Sequence, residues 1–343
     1  MRKGTMLNFS LAKRAVAVVV ATAIGVTGCS SDGGDTSTAK DSDFETITIE
    51  HALGTAEIDT KPERVVTLGQ GSAETAIALG VVPVAVEEYA WGADESGYLP
   101  WVKEAVDDME GELPQLFQGG EELSAEEVLG FEPDLILAPW SGITQDQYDQ
   151  LSAIAPTVAY PEEPWTITWE QQIATVATAL GEKDRSDELI KEINDEFAAA
   201  EEPNYKDTTF SFIYNTGPEA LGVFMPDEQR VAVVRKLGLA VDPVVEELEK
   251  DIVEGTDSAP LSPENLDKLD GSDLIFTFYR DEENRTQMHE DPAYSRIPAI
   301  ERGSEVAPTD QSLVTASSMI NPLSVPWMLD RYKKLIDEAI SKV

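Results

Sequence analysis

Short apolar runs alternate with amphipathic helical stretches along most of this chain, and that rhythm limits its fold more than any other feature. Arg64–Leu68 (RVVTL), Val82–Val86, Asp134–Ala138 (DLILA) and Pro156–Tyr160 read as short strands, most of them apolar on both faces. Thr46–Ile49 alternates like an edge strand. Ser72 opens a helix that Gly80 closes. Strands separated by helices pair in parallel, because each crossover needs the length of a helix. The rhythm returns after Pro203, with strands at Thr208–Tyr214, Ala220–Met225 and Asp273–Phe278. Glu228–Leu237 is a helix closed by Gly238, and Pro326–Ile340 is an amphipathic C-terminal helix. Between the two series, Ile173, Val176, Ala177 and Leu180, then Leu189, Ile190, Ile193 and Phe197, repeat at helical spacing. The expectation is an α/β protein of two lobes, 44–167 and 203–343, with a helical rod, interrupted or continuous, over 168–202 between them.

The N-terminus carries a different signal. Arg2, Lys3, Lys13 and Arg14 precede an apolar run, Ala15–Val26, that is too short to span a bilayer. The run closes on Val26-Thr27-Gly28-Cys29, which resembles the lipobox of bacterial lipoproteins. Residues 1–28 are therefore expected to be a lipoprotein signal peptide. Cys29 is the expected site of lipidation, with several acyl chains giving a durable anchor to the extracytoplasmic face of the cell membrane. Residues 29–43, small and polar beyond the cysteine, read as a flexible tether. Cys29 is the only cysteine, so once it is lipidated no thiol remains for disulfides, clusters or nucleophilic catalysis.

The formal net charge is −40, from 65 acids against 25 lysines and arginines. Such a chain repels nucleic acid and anionic headgroups. The acids are spread over many helix faces, which favours solubility over the recruitment of cationic ligands. Enzyme chemistry is poorly served. There is no Gly-x-Ser-x-Gly, no phosphate-binding loop and no dinucleotide fingerprint, since Gly69-Gln70-Gly71-Ser72-Ala73-Glu74 lacks the last glycine. His51 and His289 are the only histidines, too few for a bare Zn²⁺ or Mn²⁺ site. No cofactor is expected.

An internal echo links the two halves. Leu123-Ser124-Ala125-Glu126 leads to Asp134-Leu135-Ile136-Leu137, and Leu261-Ser262-Pro263-Glu264 leads to Asp273-Leu274-Ile275-Phe276. Each reads as a serine-capped helix feeding a buried strand, with its glutamate in the first turn. Together with Ile58–Leu68 (an I-x-x-x-P-x-R-V-V run), Ala78–Val84 (A-L-G-x-x-P-V) and Tyr98–Val102, these segments resemble the substrate-binding proteins of iron-siderophore, haem and cobalamin importers. The resemblance runs from about residue 46 to the C-terminus. It implies two Rossmann-like α/β lobes joined by one long helix, with the ligand cleft between them. It also implies capture of a ferric siderophore and delivery to the permease subunits of an ABC importer. By the same resemblance Glu126 and Glu264 dock onto that permease. Iron would then arrive only within the bound chelate, and the protein would act as a monomer.

Position relative to the strand ends nominates the ligand contacts. Gln70 follows the first strand, Tyr89 and Trp91 the second, Trp140 the third, and Tyr160 and Trp165 the fourth. In the second half Tyr214, Phe224, Tyr279 and Arg280 end or follow strands, and Arg230 opens a helix. Aromatic walls with polar tips suit a bulky, partly apolar chelate, and arginine can pair with its oxygens. The lean within siderophores is toward hydroxamate or mixed types. A haem or cobalamin carrier of the same family stays open as an alternative, as does a cell-surface adhesin or structural lipoprotein.

Overall fold

A computed structural model of the protein describes residues 44–215, 217, 221–252 and 256–343. The expected signal peptide, Cys29 and the tether lie outside the described residues.

The described chain opens with a hairpin, β1 (Ile47–His51) and β2 (Gly54–Ile58), paired antiparallel from Ile47 opposite Ile58 to His51 opposite Gly54. Five strands then form one all-parallel sheet: β3 (Val65–Thr67), β4 (Ala85–Glu87), β5 (Gln115–Phe117), β6 (Leu135–Leu137) and β7 (Thr157–Val158), in the order β5-β4-β3-β6-β7. β3 and β6 are buried at every residue, as strands covered on both faces must be. Helices α1 (Ser72–Ala78), α2 (Pro100–Asp108), α3 (Ala125–Gly130) and α4 (Gln145–Ser152) connect them.

The 168–202 segment, expected as a helical rod either interrupted or continuous, is two helices. α5 (Trp169–Ala179) starts at a capping box, Thr168 with Gln171, which answers the free N–H groups of its first turn. It ends at Gly181, whose φ of 74° takes the chain into the left-handed region that only glycine enters without cost. A 3-10 turn, Lys183–Arg185, then leads into α6 (Ser186–Ala200).

A second, six-stranded sheet contains β8 (Thr209–Asn215), β9 (Leu221–Phe224), β10 (Ala240–Val241), β11 (Ser258–Leu261), β12 (Leu274–Phe276) and β13 (Glu305–Val306). Its order is β11-β9-β8-β12-β13, with β10 also on β8. Unlike the first sheet it is mixed. β9 returns beside β8 after too short a connection for a crossover, so the pair is antiparallel, as are β9 and β11. The helices here are α7 (Gln229–Lys236), α8 (Pro243–Leu248), α9 (Glu282–Glu290), α10 (Pro298–Arg302), α11 (Gln311–Ala316) and α12 (Ser324–Ile340). The segment Pro263–Gly271, expected as an α-helix, is 3-10, and Ser262 accepts the Asn265 side-chain N–H at 3.0 Å instead of capping the backbone.

One apolar core runs through both sheets. It joins Val65, Leu135, Leu137 and Val158 to Ile173, Ile193 and Phe197, then to Phe210, Phe276, Met328 and Tyr332. Smaller cores lie under the outer faces, around Ile136 and Leu151 in the first half and around Leu269, Ile275 and Tyr294 in the second.

Candidate functional site

The first sheet reverses its strand order at β3, with β4 and β5 to one side and β6 and β7 to the other. In open α/β sheets the crevice outside the carboxyl ends at such a point is where ligands bind. The segments leaving β3 and β6 touch there. A Cβ on Gly69 would fall 1.7 Å from the Trp140 carbonyl oxygen, so no larger residue fits. Gln172 Nε2 donates to the Gln70 carbonyl at 2.6 Å and fixes the turn from behind. Trp140 meets Trp165 edge to face, ring centroids 4.5 Å apart. Trp165 is 51% exposed, packs closely against Gly142 and has a φ of 67°. A bulky residue in that region costs about 1–2 kcal/mol. The fold holds an exposed indole in place at a conformational cost, which is a mark of functional sites.

Beside this wall, between the ends of β3 and β4, is a pocket lined in part by Gln70, Glu74, Glu87, Tyr89, Tyr98 and Leu99. Glu74 is buried on α1, where Oε2 accepts the Gly71 N–H at 2.9 Å and Oε1 accepts Trp101 Nε1–H at 3.0 Å. Glu87 Oε2 accepts the Gly69 N–H at 2.7 Å. Burial pushes both carboxyls above their ordinary value, and those hydrogen bonds only partly offset it. Burial, then the two nearby carboxylates, push the Tyr89 hydroxyl well up. Trp91 is exposed on the next turn, whose Gly92 carbonyl accepts the Ser312 hydroxyl of α11 at 2.9 Å. The first half is thereby tied to the second close to the pocket.

In the second half β8, β9 and α7 bring three nominated residues together. Tyr214 and Phe224 lie 5.3 Å apart between centroids. The Arg230 guanidinium sits 4.9 Å over Phe224 and 5.6 Å over Phe278. Arg230 is held by Glu228, a buried carboxylate that also caps α7. Burial pushes Glu228 up, and the Arg230 charge pulls it back. Arg230 Nε is buried without a partner among the described residues. A small cleft lined by Phe212, Arg230, Thr277, Phe278 and Tyr332 opens beside it.

Three nominated residues sit elsewhere. Tyr160 is buried in the core beneath the first sheet, its hydroxyl donating to the Ile143 carbonyl at 3.2 Å. Tyr279 is buried in the outer core of the second half, where its hydroxyl binds Glu305 and Tyr294. Successive residues leaving a strand point to opposite faces, so it is the neighbouring Phe278 that meets Arg230. Arg280 is exposed and paired with Asp281. Around Tyr279, Glu305 also accepts from Tyr294 at 2.8 Å and bonds His289 at 3.1 Å. Burial alone would raise Glu305, but these bonds outweigh it and hold the carboxyl below its ordinary value. His51 lies edge-on to Tyr148, away from the pocket. Among the described residues, no group of three or more His, Cys, Asp and Glu is placed to hold a metal ion.

Sequence reasoning missed Glu74, Glu87 and Phe278. An acid inside the buried stretch Ser72–Ile77, and another ending the apolar run of β4, were the signals available. Glu126 and Glu264 are both exposed, each two residues past its serine. No hydrogen bond or ion pair within the described chain uses either carboxylate.

Comparison with known proteins agrees with this architecture. The probable siderophore-binding lipoprotein YfiY of Bacillus subtilis (strain 168) is 30% identical over 174 residues, half of each chain. The putative ABC transporter substrate-binding lipoprotein YhfQ of the same strain is 30% identical over 132 residues, 38% of this chain and 37% of the relative. The chain thus aligns with half or less of the length of these curated relatives. Among solved structures, PiaA of Streptococcus pneumoniae TIGR4 in complex with ferrichrome superposes with a TM-score of 0.76 at 30% identity, covering 87% of this chain and 99% of PiaA. A periplasmic solute-binding protein of Mycobacterium smegmatis gives 0.71 at 26% identity, covering 86% and 99%. The periplasmic binding protein family model matches residues 65–306, which take in both sheets. The chain therefore belongs to the periplasmic binding protein family.

Proposed function

We propose that this protein is an extracytoplasmic lipoprotein that captures a ferric siderophore and delivers it to an ABC importer, acting as a monomer anchored through Cys29. The observation that carries this reading is a pair of aromatic-lined half-sites, one beyond each sheet. The first offers Trp140, Trp165, Gln70 and Tyr89 at the carboxyl ends of a parallel sheet. The second offers Tyr214, Phe224 and Phe278 around Arg230. Flat apolar walls with a few polar tips suit a compact chelate with an apolar exterior. The printed descriptions of YfiY as a siderophore-binding lipoprotein and of PiaA as a ferrichrome complex support the same ligand class. The lobes are taken as 44–167 and 203–343, with 168–202 as the connector. Glu126 and Glu264 are the charges offered to the permease, because both are exposed and unused within the described chain.

Tryptophan fluorescence tests the reading directly. The protein is titrated with a ferric hydroxamate, a ferric catecholate, ferric citrate, haem and cobalamin. Saturable quenching at submicromolar concentration by one siderophore class is the expected result. Saturation by haem or cobalamin alone redirects the function within the family. No response from folded protein overturns the reading.

A further inference from the structure

We propose that the pocket between β3 and β4 is a seat for a cationic arm of the ligand, an ammonium or guanidinium group that docks on Glu87 and Tyr89. The proposal rests on the ferric-siderophore reading and adds a charge requirement to it.

The two carboxylates of this pocket are in different states. Both oxygens of Glu74 have donors within the chain. Glu87 uses only Oε2, on the Gly69 N–H, and no described residue donates to Oε1. That oxygen lies so close to Gly119 that a Cβ there would come within 1.9 Å, so the glycine keeps room for the carboxylate. The Tyr89 hydroxyl, in the same pocket wall, has no hydrogen-bond partner among the described residues, although burial and the two carboxylates push it well up. A half-used carboxylate and an unpartnered phenol therefore line the same pocket.

No cation among the described residues serves them. Burial and the Gly69 N–H account for the state of Glu87, with no lysine or arginine contributing. The arginines assigned to the cleft are engaged elsewhere, Arg230 by Glu228 and Arg280 by Asp281. A part-buried carboxylate without a counter-ion is disfavoured, and a cation that arrives with the ligand offsets that cost. An ammonium on Glu87 would also donate to Tyr89 Oη, with Tyr98 lining the same pocket. The same carboxylates penalise a chelate that presents an anionic group to this end of the cleft.

Two chelates that differ only in this arm make the test. Ferrioxamine B carries a free ammonium, and its N-acetylated derivative has the same iron centre without the charge. Affinities are measured by calorimetry on the full-length protein in detergent, for wild type and E87Q. The amide oxygen of E87Q can still accept the Gly69 N–H, so the substitution removes charge more than structure, and thermal unfolding checks that it folds. Wild type is expected to favour the ammonium form by about tenfold, equivalent to about 1.4 kcal/mol. E87Q is expected to close that gap by weakening the ammonium form. Equal affinities in wild type, or a preference that survives in E87Q, overturn the seat. So does wild-type protein that binds only chelates lacking a cationic group, at affinities E87Q leaves unchanged, and this result leaves the siderophore reading standing. Wild-type protein that binds no ferric chelate overturns that reading and the seat together.

Discussion

The two sheets end differently at their carboxyl edges. The all-parallel first sheet ends in a pocket whose charged groups are carboxylates, Glu74 and Glu87, beside a pair of indoles. The mixed second sheet ends in a tight cluster whose charge is one guanidinium, clamped by Glu228 between two phenyl rings. Topology explains part of the contrast. Parallel strands send each carboxyl end into a separate loop, so several side chains converge around an open space. The β8–β9 hairpin folds back at once and sets Tyr214 directly against Phe224. The first half-site offers carboxylates and the second a guanidinium already paired with Glu228, a division a net charge of −40 does not reveal.

Both halves expose a glutamate two residues past a serine, Glu126 on an α-helix and Glu264 on a 3-10 segment. Replacing both with alanine should reduce ferric-chelate uptake by iron-starved cells to background, while the purified protein keeps its affinity. Each single change should give an intermediate loss. Full uptake with one of them replaced would show that the two ends are not equivalent, and weakened binding by the purified double variant would end the docking assignment.

The next largest effect is expected from Arg230→Ala. It leaves Glu228 buried without its cation and removes the contact between the rings. Breaking a buried pair costs about 3–5 kcal/mol. Since Arg230 is partly exposed, about 2 kcal/mol is expected in chemical denaturation. Ligand affinity should fall about a hundredfold, and a loss of stability alone would make Arg230 purely structural.

In the first half Trp140→Ala should weaken ligand binding about tenfold by removing one face of the indole wall. Tyr160→Phe is its contrast. It deletes only the bond to the Ile143 carbonyl, so affinity should hold while stability falls by about 1 kcal/mol. A ligand defect in Tyr160→Phe would reopen the strand-end assignment that the buried ring argues against.

The smallest effect is a pH dependence that separates the halves. Burial raises Glu87 above 4.5, so the folded state holds its proton more tightly than the unfolded chain does. Its contribution to stability is then present at low pH and is lost as pH rises from about 4.5 through the higher folded value. Glu305 is lowered, so its contribution is present above 4.5 and is lost as pH falls through its lower folded value. Glu87→Gln should be slightly more stable than wild type at pH 7, by less than about 1 kcal/mol, with the gain vanishing below pH 4.5. Glu305→Gln should lose most at neutral pH and least in acid. Opposite slopes in the two variants would sustain the contrast, and parallel slopes would remove it.

The sequence made the parallel sheet legible because Val65–Thr67 and Leu135–Leu137 are short, apolar and set between helix signals. It hid β5, β10 and β13 because none is a fully buried apolar run of the kind β3 and β6 are. The break at Gly181 was a visible glycine, but only the structure decided between an interruption and a continuous helix. In the candidate site, Trp140, Trp165 and Phe224 were accessible by counting from strand ends, and Arg230 as one of the few cations in an acidic chain. Tyr279 was not, because side-chain direction alternates and a one-residue error in where the strand ends reverses the face. Glu87 was hidden for another reason. A chain with 65 acids offers no way to single out the few that are buried or part-buried until burial is seen.

The apolar core that crosses from Val65 to Tyr332 has a consequence for inheritance. Neither sheet owns its hydrophobic face alone, since each covers the other through α5, α6 and α12. A recombination event that exchanged one half for a distant cousin's would have to match that seam side chain by side chain. New cargo is more readily acquired by rewriting the loops beyond the strands, while the paired halves pass down as a single heirloom.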